Sequence, residues 1–223
     1  KVKSGEFMKR TALHFACCSG NAKIITLLLD SDERLGLDDI DGKGRTPIIY
    51  AIKGDFVDCV YDLLEQEEIN INQEYKGNNL LQYACIKNKT KVFNVLLDSI
   101  VFDPNLPCQD GRVILVVAIE NRNTHIVKSI LNKFKNIDIN IDTSNGKTPL
   151  FIACQLGDVE IIKLLLDSNT IKINKPISLD GSTPFMAAAE AGNVEVLQLL
   201  LNDDADIFAK NKQEMSAIHS AFF

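Results

Sequence analysis

The sequence predicts an all-α fold, a solenoid of helix-turn-helix repeats with hairpin-like fingers, about six full repeats and a partial seventh. Three observations predict it. Seven similar segments recur in one register, a leucine follows each of the first six anchors at a fixed distance, and one column holds alanine in the first six repeats. Such periodicity is typical of proteins whose repeats bury their apolar faces on one another.

The repeat register is defined by one anchor residue in each segment. The anchors lie 35, 33, 34, 35, 35 and 33 residues apart, at Thr11, Thr46, Asn79, Val113, Thr148, Thr183 and Ser216. A leucine follows 18 residues after each of the first six, at Leu29, Leu64, Leu97, Leu131, Leu166 and Leu201. Because only the interval after the leucine varies in length, we expect packed structure before it and a surface loop after it. No linker interrupts the register, so we interpret residues 1–223 as one domain.

Each repeat reads as two short helices. In the fifth repeat, Thr148 suits the N-cap and Pro149 the first helical position, while Gly157 suits the end of the first helix. Helices of about ten residues are marginal alone, so each pair must pack on its neighbours. We therefore expect twelve helices in six pairs, part of a thirteenth near 217–222, and no strand longer than a finger hairpin. The recurring small residues mark close helix contacts, at Ala16, Ala51, Ala84, Ala118, Ala153 and Ala188.

From about residue 8 to its end, the chain resembles the ankyrin repeat family, whose unit of about 33 residues carries a Thr-Pro-Leu-His-x-Ala signature. The segments "RTALHFAC" (10–17) and "KTPLFIAC" (147–154) show the likeness. His14 and His219 match the family histidine, for which side-chain to backbone bonding is the expected role. Asn79 and Val113 replace the anchor threonine, so we expect weaker capping there. Three segments resemble the family's entry into the finger, at 70–72, 103–105 and 138–140.

The resemblance implies that fingers and first helices line a concave, partner-binding side. We assign no catalytic, cofactor-binding or metal-binding role to any residue on this partner-binding side. In this sequence the implied partner-binding positions are Arg10, Lys43, Arg45, Lys53, Tyr75, Lys76, Lys87, Gln109, Arg112, Glu120, Ser144, Asn145, Lys147, Gln155, Asp180 and Glu190, with Lys9 beside them.

Charge divides between the two sides of the predicted solenoid. The formal net charge is −6, yet the binding-side positions of repeats one to four are mostly cationic, and many acidic residues fall on the inter-helix turns and second helices. We therefore expect a partner protein that presents an acidic segment to repeats one to four. The alternative is that these lysines and arginines only keep the surface hydrated.

Several sites are excluded by spacing. Gly146-Lys147-Thr148 ends like a phosphate-binding loop, but Ile141 stands where the first glycine is needed. The acidic runs at 30–39 and 65–68 lack the ligand spacing of a calcium loop. Equivalent cysteines, Cys17, Cys85 and Cys154, should lie roughly 20 Å apart, too far for a bridge or a shared metal. We expect six free thiols, no cofactor and no enzymatic activity within this chain.

Two functions remain open. The first is a non-catalytic scaffold that binds a partner protein; the second is a targeting or regulatory segment of a longer enzyme or effector. No apolar run is long enough to span a bilayer, so we expect a soluble, cytoplasmic and monomeric protein without nucleic-acid binding. We interpret residues 1–7, "KVKSGEF", as derived from cloning, with Met8 as the native start.

Overall fold

The computed structural model describes residues 9–31 and 35–220 and consists mainly of short helices. Residues 1–7, interpreted as derived from cloning, and Met8 lie outside the described residues, as do residues 221–222 of the predicted thirteenth helix. The elements are α1 (Ala12–Ser19), α2 (Ala22–Ser31), α3 (Pro47–Gly54), α4 (Val57–Leu64), β1 (Glu74–Tyr75), β2 (Asn78–Asn79), α5 (Leu80–Ile86), α6 (Thr90–Ser99), α7 (Ile114–Glu120), α8 (Thr124–Lys133), α9 (Pro149–Leu156), α10 (Val159–Leu166), α11 (Pro184–Glu190), α12 (Val194–Asn202) and α13 (Ala217–Ser220).

The helices form six pairs followed by α13, which confirms the predicted all-α solenoid. The first helix of each repeat packs on its own second helix. The chain divides between Phe102 and Asp103 into two compact units, which we call unit 1 (repeats one to three) and unit 2 (repeats four to seven). Within unit 1, α1, α3 and α5 are successive neighbours, as are α2, α4 and α6. Within unit 2, α7, α9, α11 and α13 stack in the same way, as do α8, α10 and α12.

Alanine lets the first helices approach closely. The six alanines of the predicted column are at most 3% exposed. A larger side chain there would overlap the neighbouring helix, so the column fixes the stacking distance. The recurring leucines lie nearer the protein surface than the alanines. Five of the six are half-buried or exposed, and Leu97 is buried. The residue just before each of them is the more deeply buried in repeats two to six, at Leu63, Leu96, Ile130, Leu165 and Leu200.

The helix N-termini are capped differently from the sequence prediction. Asn79, expected to cap weakly, accepts the backbone N–H of Gln82 at 2.9 Å, and the Gln82 side chain accepts the Asn79 N–H at 3.1 Å. This reciprocal pair is a complete capping box. Thr46, expected to cap α3, instead donates its hydroxyl to Oε1 of Gln73 at 2.5 Å. The expectation for Val113 is met, since no side-chain hydrogen bond caps α7.

One glycine is required by close packing at the turn between α1 and α2. Gly20 has a φ of +71°, and a Cβ there would lie 2.6 Å from the ring of Phe56. Any other residue would therefore be strained in its backbone and would also displace the ring.

The fingers between repeats are short. Strands β1 and β2 pair antiparallel, Glu74 with Asn79 and Tyr75 with Asn78. They are two residues each, and within residues 9–31 and 35–220 no strand is longer, as predicted.

Asparagine side chains link successive loops in unit 2. Oδ1 of Asn105 accepts the N–H of Asp138 at 2.9 Å. Asn140 and Asn174 repeat this contact with Lys172 and Asp206, each at 2.8 Å. The bonds fix the position of each finger against the next.

In the described part of the chain, no helix is long and apolar enough to cross a bilayer.

Candidate functional site

In repeats two and three the finger and first-helix side of unit 1 carries four exposed lysines. Lys43 and Lys76 lie at the finger tips of these repeats, and Lys53 and Lys87 lie at the ends of α3 and α5. Tyr75, next to Lys76 in the chain, is half-buried. We call these five predicted binding residues the lysine surface; Lys9, just before α1, is exposed as well.

Arg45, also predicted to bind a partner, is instead only 9% exposed. Its Nη2 and Nε donate to Oδ2 of Asp41 at 2.8 and 3.1 Å. Tyr50 donates its hydroxyl to the same oxygen at 2.6 Å, while Oδ1 of Asp41 accepts the backbone N–H groups of Lys43 and Arg45. Arg45 therefore helps to shape the finger that presents Lys43.

These contacts change the ionisation of the cluster. Burial alone would raise the pKa of Asp41, but the hydrogen bonds from Tyr50 and Arg45 outweigh it and hold that pKa well below its usual range. Burial, together with the hydrogen bond to Asp41, raises the pKa of Tyr50 to about 12. Asp41 is thus a carboxylate and Tyr50 a neutral hydroxyl at neutral pH.

Cations and aromatic rings alternate through this cluster. The guanidinium carbons of Arg10 and Arg45 lie 4.8 and 4.6 Å from the centre of the Tyr50 ring. Arg10 also lies 5.9 Å from the centre of the Phe15 ring and pairs with Asp41 at 3.6 Å. Its side chain is 11% exposed, so most of the predicted binding residue Arg10 is buried.

His14 joins the first two repeats. The backbone N–H of Thr11 donates to Nδ1 of His14 at 3.1 Å, so the ring proton must sit on Nε2. Nε2 then donates to the carbonyl oxygen of Arg45 at 2.9 Å. The ring also meets Tyr50 edge to face, with centroids 5.9 Å apart. This is the side-chain to backbone role expected for the histidine.

A second aromatic pair lies under the lysines of repeat three. Tyr75 and Tyr83 form an edge-to-face pair with centroids 5.3 Å apart. The Lys76 Nζ lies 5.6 Å from the Tyr75 ring centre, and the Lys87 Nζ lies 5.7 Å from that of Tyr83. Such cation–π contacts favour rotamers that keep the ammonium groups over the rings.

Sequence reasoning missed this interleaving of cations and rings. A signal was available, because the position four residues after the anchor is aromatic in the first three repeats, at Phe15, Tyr50 and Tyr83, and aliphatic in the next three. Its meaning depends on which cations reach each ring. Most of these contacts lie within one repeat, and that of Arg10 with Tyr50 joins repeats one and two.

Unit 2 presents a different surface. Arg112 donates to Asp110 at 2.6 Å and also to Glu120, so its charge is already matched by two carboxylates. The hydrogen bond to Asp110 is the largest cause of the raised pKa of Arg112. Lys147 donates to Oε1 of Gln155 at 2.8 Å. In both repeats the residue before the anchor is thus tied to the end of its own first helix.

Six predicted binding residues of unit 2 surround one cavity. It has a volume of about 220 Å³, and Ile152 and Leu156 form part of its wall. Thr143 also lines it, and the predicted residues that it brings together are Arg112, Glu120, Ser144, Asn145, Lys147 and Gln155.

The other predicted residues of unit 2 lie apart from this cavity. Gln109 and Glu190 are exposed, and Asp180 is half-buried. Oδ1 of Asp180 accepts the N–H of Ser182 at 2.9 Å, which shapes the finger of repeat six.

The thiols are poorly suited to chemistry. All six cysteines are free, five are buried, and Cys18 is exposed. Burial is the first cause that raises the pKa of Cys59 and Cys108 to about 11 and of Cys154 to about 12, and it raises the pKa of Cys17 as well. Buried thiols of this kind stay protonated and unreactive. Residues 9–31 and 35–220 hold no group of three His, Cys, Asp or Glu side chains placed to bind a metal ion.

Comparison with solved structures supports the fold. The ankyrin repeat domain of Bcl-3, a member of the IkappaB protein family, superposes with a TM-score of 0.79 at 23% identity, covering 96% of this chain and 95% of that one. The ankyrin repeat domain of human ASB11 superposes with a TM-score of 0.74 at 24% identity, covering 95% and 92%. At these identities the likeness concerns the fold alone.

Similar sequences occur inside much longer proteins. The potassium channel AKT2/3 of Arabidopsis thaliana is 30% identical over 122 residues, which are 54% of this chain and 14% of the channel. Human transient receptor potential cation channel subfamily A member 1 is 24% identical over 136 residues, 60% of this chain and 12% of that protein. Human Inversin is 28% identical over 102 residues, 43% of this chain and 9% of Inversin. The chain thus spans a small part of each relative.

The family model for ankyrin repeats, three copies to a model, matches residues 13–107, 81–177 and 115–212. These matches overlap and together cover most of the chain, in the same register as the helix pairs. The chain therefore belongs to the ankyrin repeat family.

Proposed function

We propose that this chain is a protein-binding module that holds an acidic segment of its partner on the lysine surface of unit 1. The observation that carries the proposal is the exposure of four lysines on the finger and first-helix side of repeats two and three, in a chain of net charge −6. Ankyrin repeat domains are generally protein-interaction modules, and no catalytic domain is evident in this chain.

Charge on the second helix of repeat two supports this choice. Asp58 is exposed and Asp62 half-buried on α4, so the second helix of repeat two presents carboxylates. An acidic partner would be repelled there and attracted to the lysine surface. Such complementarity mainly speeds encounter and sets orientation.

Repeat four contributes less than its sequence suggests. Because Arg112 is matched by Asp110 and Glu120, its local surface carries no excess positive charge. We therefore limit the acidic contact to repeats one to three, which hold the exposed lysines of the lysine surface.

The proposal is tested with paired charge reversals in unit 1. The tagged chain captures partners from source lysate, and the captured protein is then purified and titrated against Lys43→Glu/Lys76→Glu. We expect the association rate to fall about tenfold or more at low salt and the difference to shrink as the Debye length falls to about 8 Å at physiological ionic strength.

A matched control places the same charge change elsewhere. Lys23→Glu/Lys91→Glu alters two exposed lysines on α2 and α6, the second helices of unit 1. This variant should bind like the wild type. Equal loss of binding in both double variants, or indifference of binding to salt, would show that the partner docks elsewhere.

The second candidate is a targeting or regulatory segment of a longer protein. It is favoured by the relatives, in which the matched region makes up 14% or less of the polypeptide. The open reading frame of the source gene decides between the two. A frame that encodes a catalytic or channel domain beside these repeats would make the lysine surface a docking site within or for that larger protein.

A further inference from the structure

The second helix of repeat six, α12, exposes apolar side chains at positions that earlier repeats cover. In α2, α4, α8 and α10, the residues 11 and 18 positions after the anchor are half-buried and the residue 14 positions after it is buried. In α12 the same positions hold Val194, which is 65% exposed, the half-buried Leu197, and Leu201, which is 47% exposed. Because these three residues follow helical spacing, they form one stripe along α12.

The difference follows from the neighbours of each helix. Each of α2, α4, α8 and α10 packs on the second helix of the following repeat. Among residues 9–31 and 35–220, no second helix follows α12. The stripe of Val194, Leu197 and Leu201 therefore faces the place that such a helix would take.

The short helix α13 borders the same place. Ile218, two positions after its anchor, is 70% exposed, whereas the equivalent residues of the first six repeats are at most 9% exposed, at Leu13, Ile48, Leu81, Leu115, Leu150 and Phe185. In earlier repeats the second helix packs on the first helix of its own repeat and on the preceding second helix, as α10 packs on α9 and α8. A helix in the corresponding place at the end of unit 2 would contact α13 and α12 together.

The loop after α12 also differs from its equivalents. Asn140 and Asn174 each bond to the loop of the following repeat. Phe208 is the next residue in this series and is 79% exposed, so an aromatic ring replaces the asparagine at a position that faces the following repeat. We call five residues at this end of unit 2 the end surface: Val194, Leu197, Leu201, Phe208 and Ile218.

The loop beside the end surface is negatively charged. Asp203 and Asp204, which follow α12 directly, are exposed. The two lysines that come next in the chain are already bound, since Lys210 pairs with Glu214 at 2.9 Å and Lys212 donates to carbonyl oxygens of the finger of repeat six. The C-terminus of α12 adds partial negative charge of its own. A second copy of the chain would bring the same carboxylates with it, whereas a basic partner would be attracted.

We infer that the end surface binds an amphipathic α-helix of a partner protein, with lysine or arginine in its last turn. The helix is seated against α13 and α12 as α10 is seated against α9 and α8, and its apolar face covers Val194, Leu201 and Ile218. Equivalent helices of a stack run in the same direction, so the basic turn lies beside Asp203 and Asp204. The end surface shares no residue with the lysine surface, so binding there does not depend on the proposed function.

The test uses two fluorescein-labelled, alanine-based peptides of about 18 residues, long enough to form a helix alone. The striped peptide carries leucine at positions i, i+3, i+4 and i+7 and three lysines in its last turn. The scattered peptide has the same composition and the same lysines, with its leucines distributed around the helix. Each is titrated with the whole chain by fluorescence anisotropy, and circular dichroism checks that both peptides are helical.

We expect the striped peptide to bind about tenfold more tightly than the scattered peptide, and Leu201→Gln to weaken its binding about tenfold, because apolar contact is lost. Phe208→Asn, which restores the asparagine of the earlier loops, should weaken it about threefold. Leu27→Gln provides the matched control, since Leu27 is an exposed leucine on α2, and it should bind like the wild type.

A second pair of variants tests the charge. Asp203→Asn/Asp204→Asn should weaken binding of the striped peptide about threefold at low salt and less at about 0.15 M. Glu67→Gln/Glu68→Gln removes two exposed carboxylates from the loop after α4 and should leave binding unchanged. Thermal melting of every variant checks that the fold persists.

Several results would overturn the inference. No binding of the striped peptide, equal binding of both peptides, or equal loss in Leu27→Gln and Leu201→Gln would show that the end surface does not select a helix. Unchanged binding in the aspartate variant would remove the basic last turn. A dimer in sedimentation velocity that Leu201→Gln dissociates would assign the surface to a second copy. A source gene whose reading frame continues into a further amphipathic helix would assign it to the chain itself. None of these results bears on the binding of an acidic segment to the lysine surface.

Discussion

At the scale of single residues, Asp41 organises the finger of repeat two. Its two carboxylate oxygens are buried and accept hydrogen bonds from the backbone and side chain of Arg45 and from Tyr50. A buried charge is stable only when it is paired and fully hydrogen-bonded, so removing one member leaves the others unsatisfied. Arg10 and Arg45 are cations that this carboxylate holds inside the protein.

We expect Asp41→Asn to lower the free energy of unfolding by about 3 kcal/mol at neutral pH. In the unfolded chain Asp41 takes up a proton near a pKa of about 3.9, whereas the folded state keeps it ionised. Its stabilisation is therefore complete above about pH 5 and is lost as the pH falls toward the folded-state pKa. Urea denaturation at neutral pH and near pH 3 measures this, and the gap between the two proteins should narrow in acid.

The exposed neighbour Asp39 provides the control for that experiment. Asp39→Asn should follow the wild type at both pH values. A constant gap between Asp41→Asn and the wild type across the acid range would contradict the lowered pKa.

The alanine column makes a second prediction for single residues. Ala153 is fully buried, so Ala153→Leu should destabilise the protein by about 1–3 kcal/mol through overpacking. Lys147→Ala, on the finger of the same repeat, should change stability by less than about 0.5 kcal/mol, because its bond to Gln155 is exposed. Thermal melting of both variants checks the assignment, and similar shifts for the two would contradict it.

At the scale of helices, the first helices of repeats three and four differ in how their N-termini are capped. Helix α5 has the Asn79–Gln82 capping box, whereas Val113, the N-cap residue of α7, provides no side-chain cap. The first turn of a helix leaves backbone N–H groups without partners, and a cap satisfies one or two of them. Repeat three is thus held as firmly as the threonine-capped repeats, although it lacks the threonine.

We expect Asn79→Ala to lower the free energy of unfolding by about 1 kcal/mol, because it leaves the N–H of Gln82 unsatisfied. Asn79→Thr, which can still accept that N–H, should lie within about 0.5 kcal/mol of the wild type. Chemical denaturation of the three proteins compares them. A neutral Asn79→Ala would mean that solvent caps α5 equally well.

At the scale of the whole molecule, the six thiols differ in how deeply they are buried. Cys18 alone is exposed; four of the buried thiols lie in the stacked helices, and Cys108 lies in the segment between α6 and α7. In the native protein one thiol should react rapidly with Ellman's reagent and five slowly, with all six reacting after denaturation. Cys18→Ser should abolish the rapid phase. Fewer than six sulfhydryls in the denatured protein would reveal a bridge.

Repeat number and helix order could be derived from the sequence, because they depend on local periodicity. The anchor spacing and the fixed interval to each leucine predict two helices per repeat wherever they occur. The caps were less predictable, since they depend on which partners the side chains of Asn79 and Thr46 find. The hydroxyl of Thr46 donates to Gln73, which lies 27 residues further along the chain, and no local pattern predicts this contact.

The charges available for binding were decided by tertiary contacts. Lys43 and Arg45 are two residues apart and look alike in sequence, yet one is exposed and the other is buried against Asp41. Arg10 reaches that carboxylate from the preceding repeat. A solenoid follows from a repeated pattern, because each repeat needs only its neighbours to bury its apolar face. Whether a cation faces solvent depends on single side-chain contacts, within a finger for Arg45 and between repeats for Arg10, which are set only when the chain has folded.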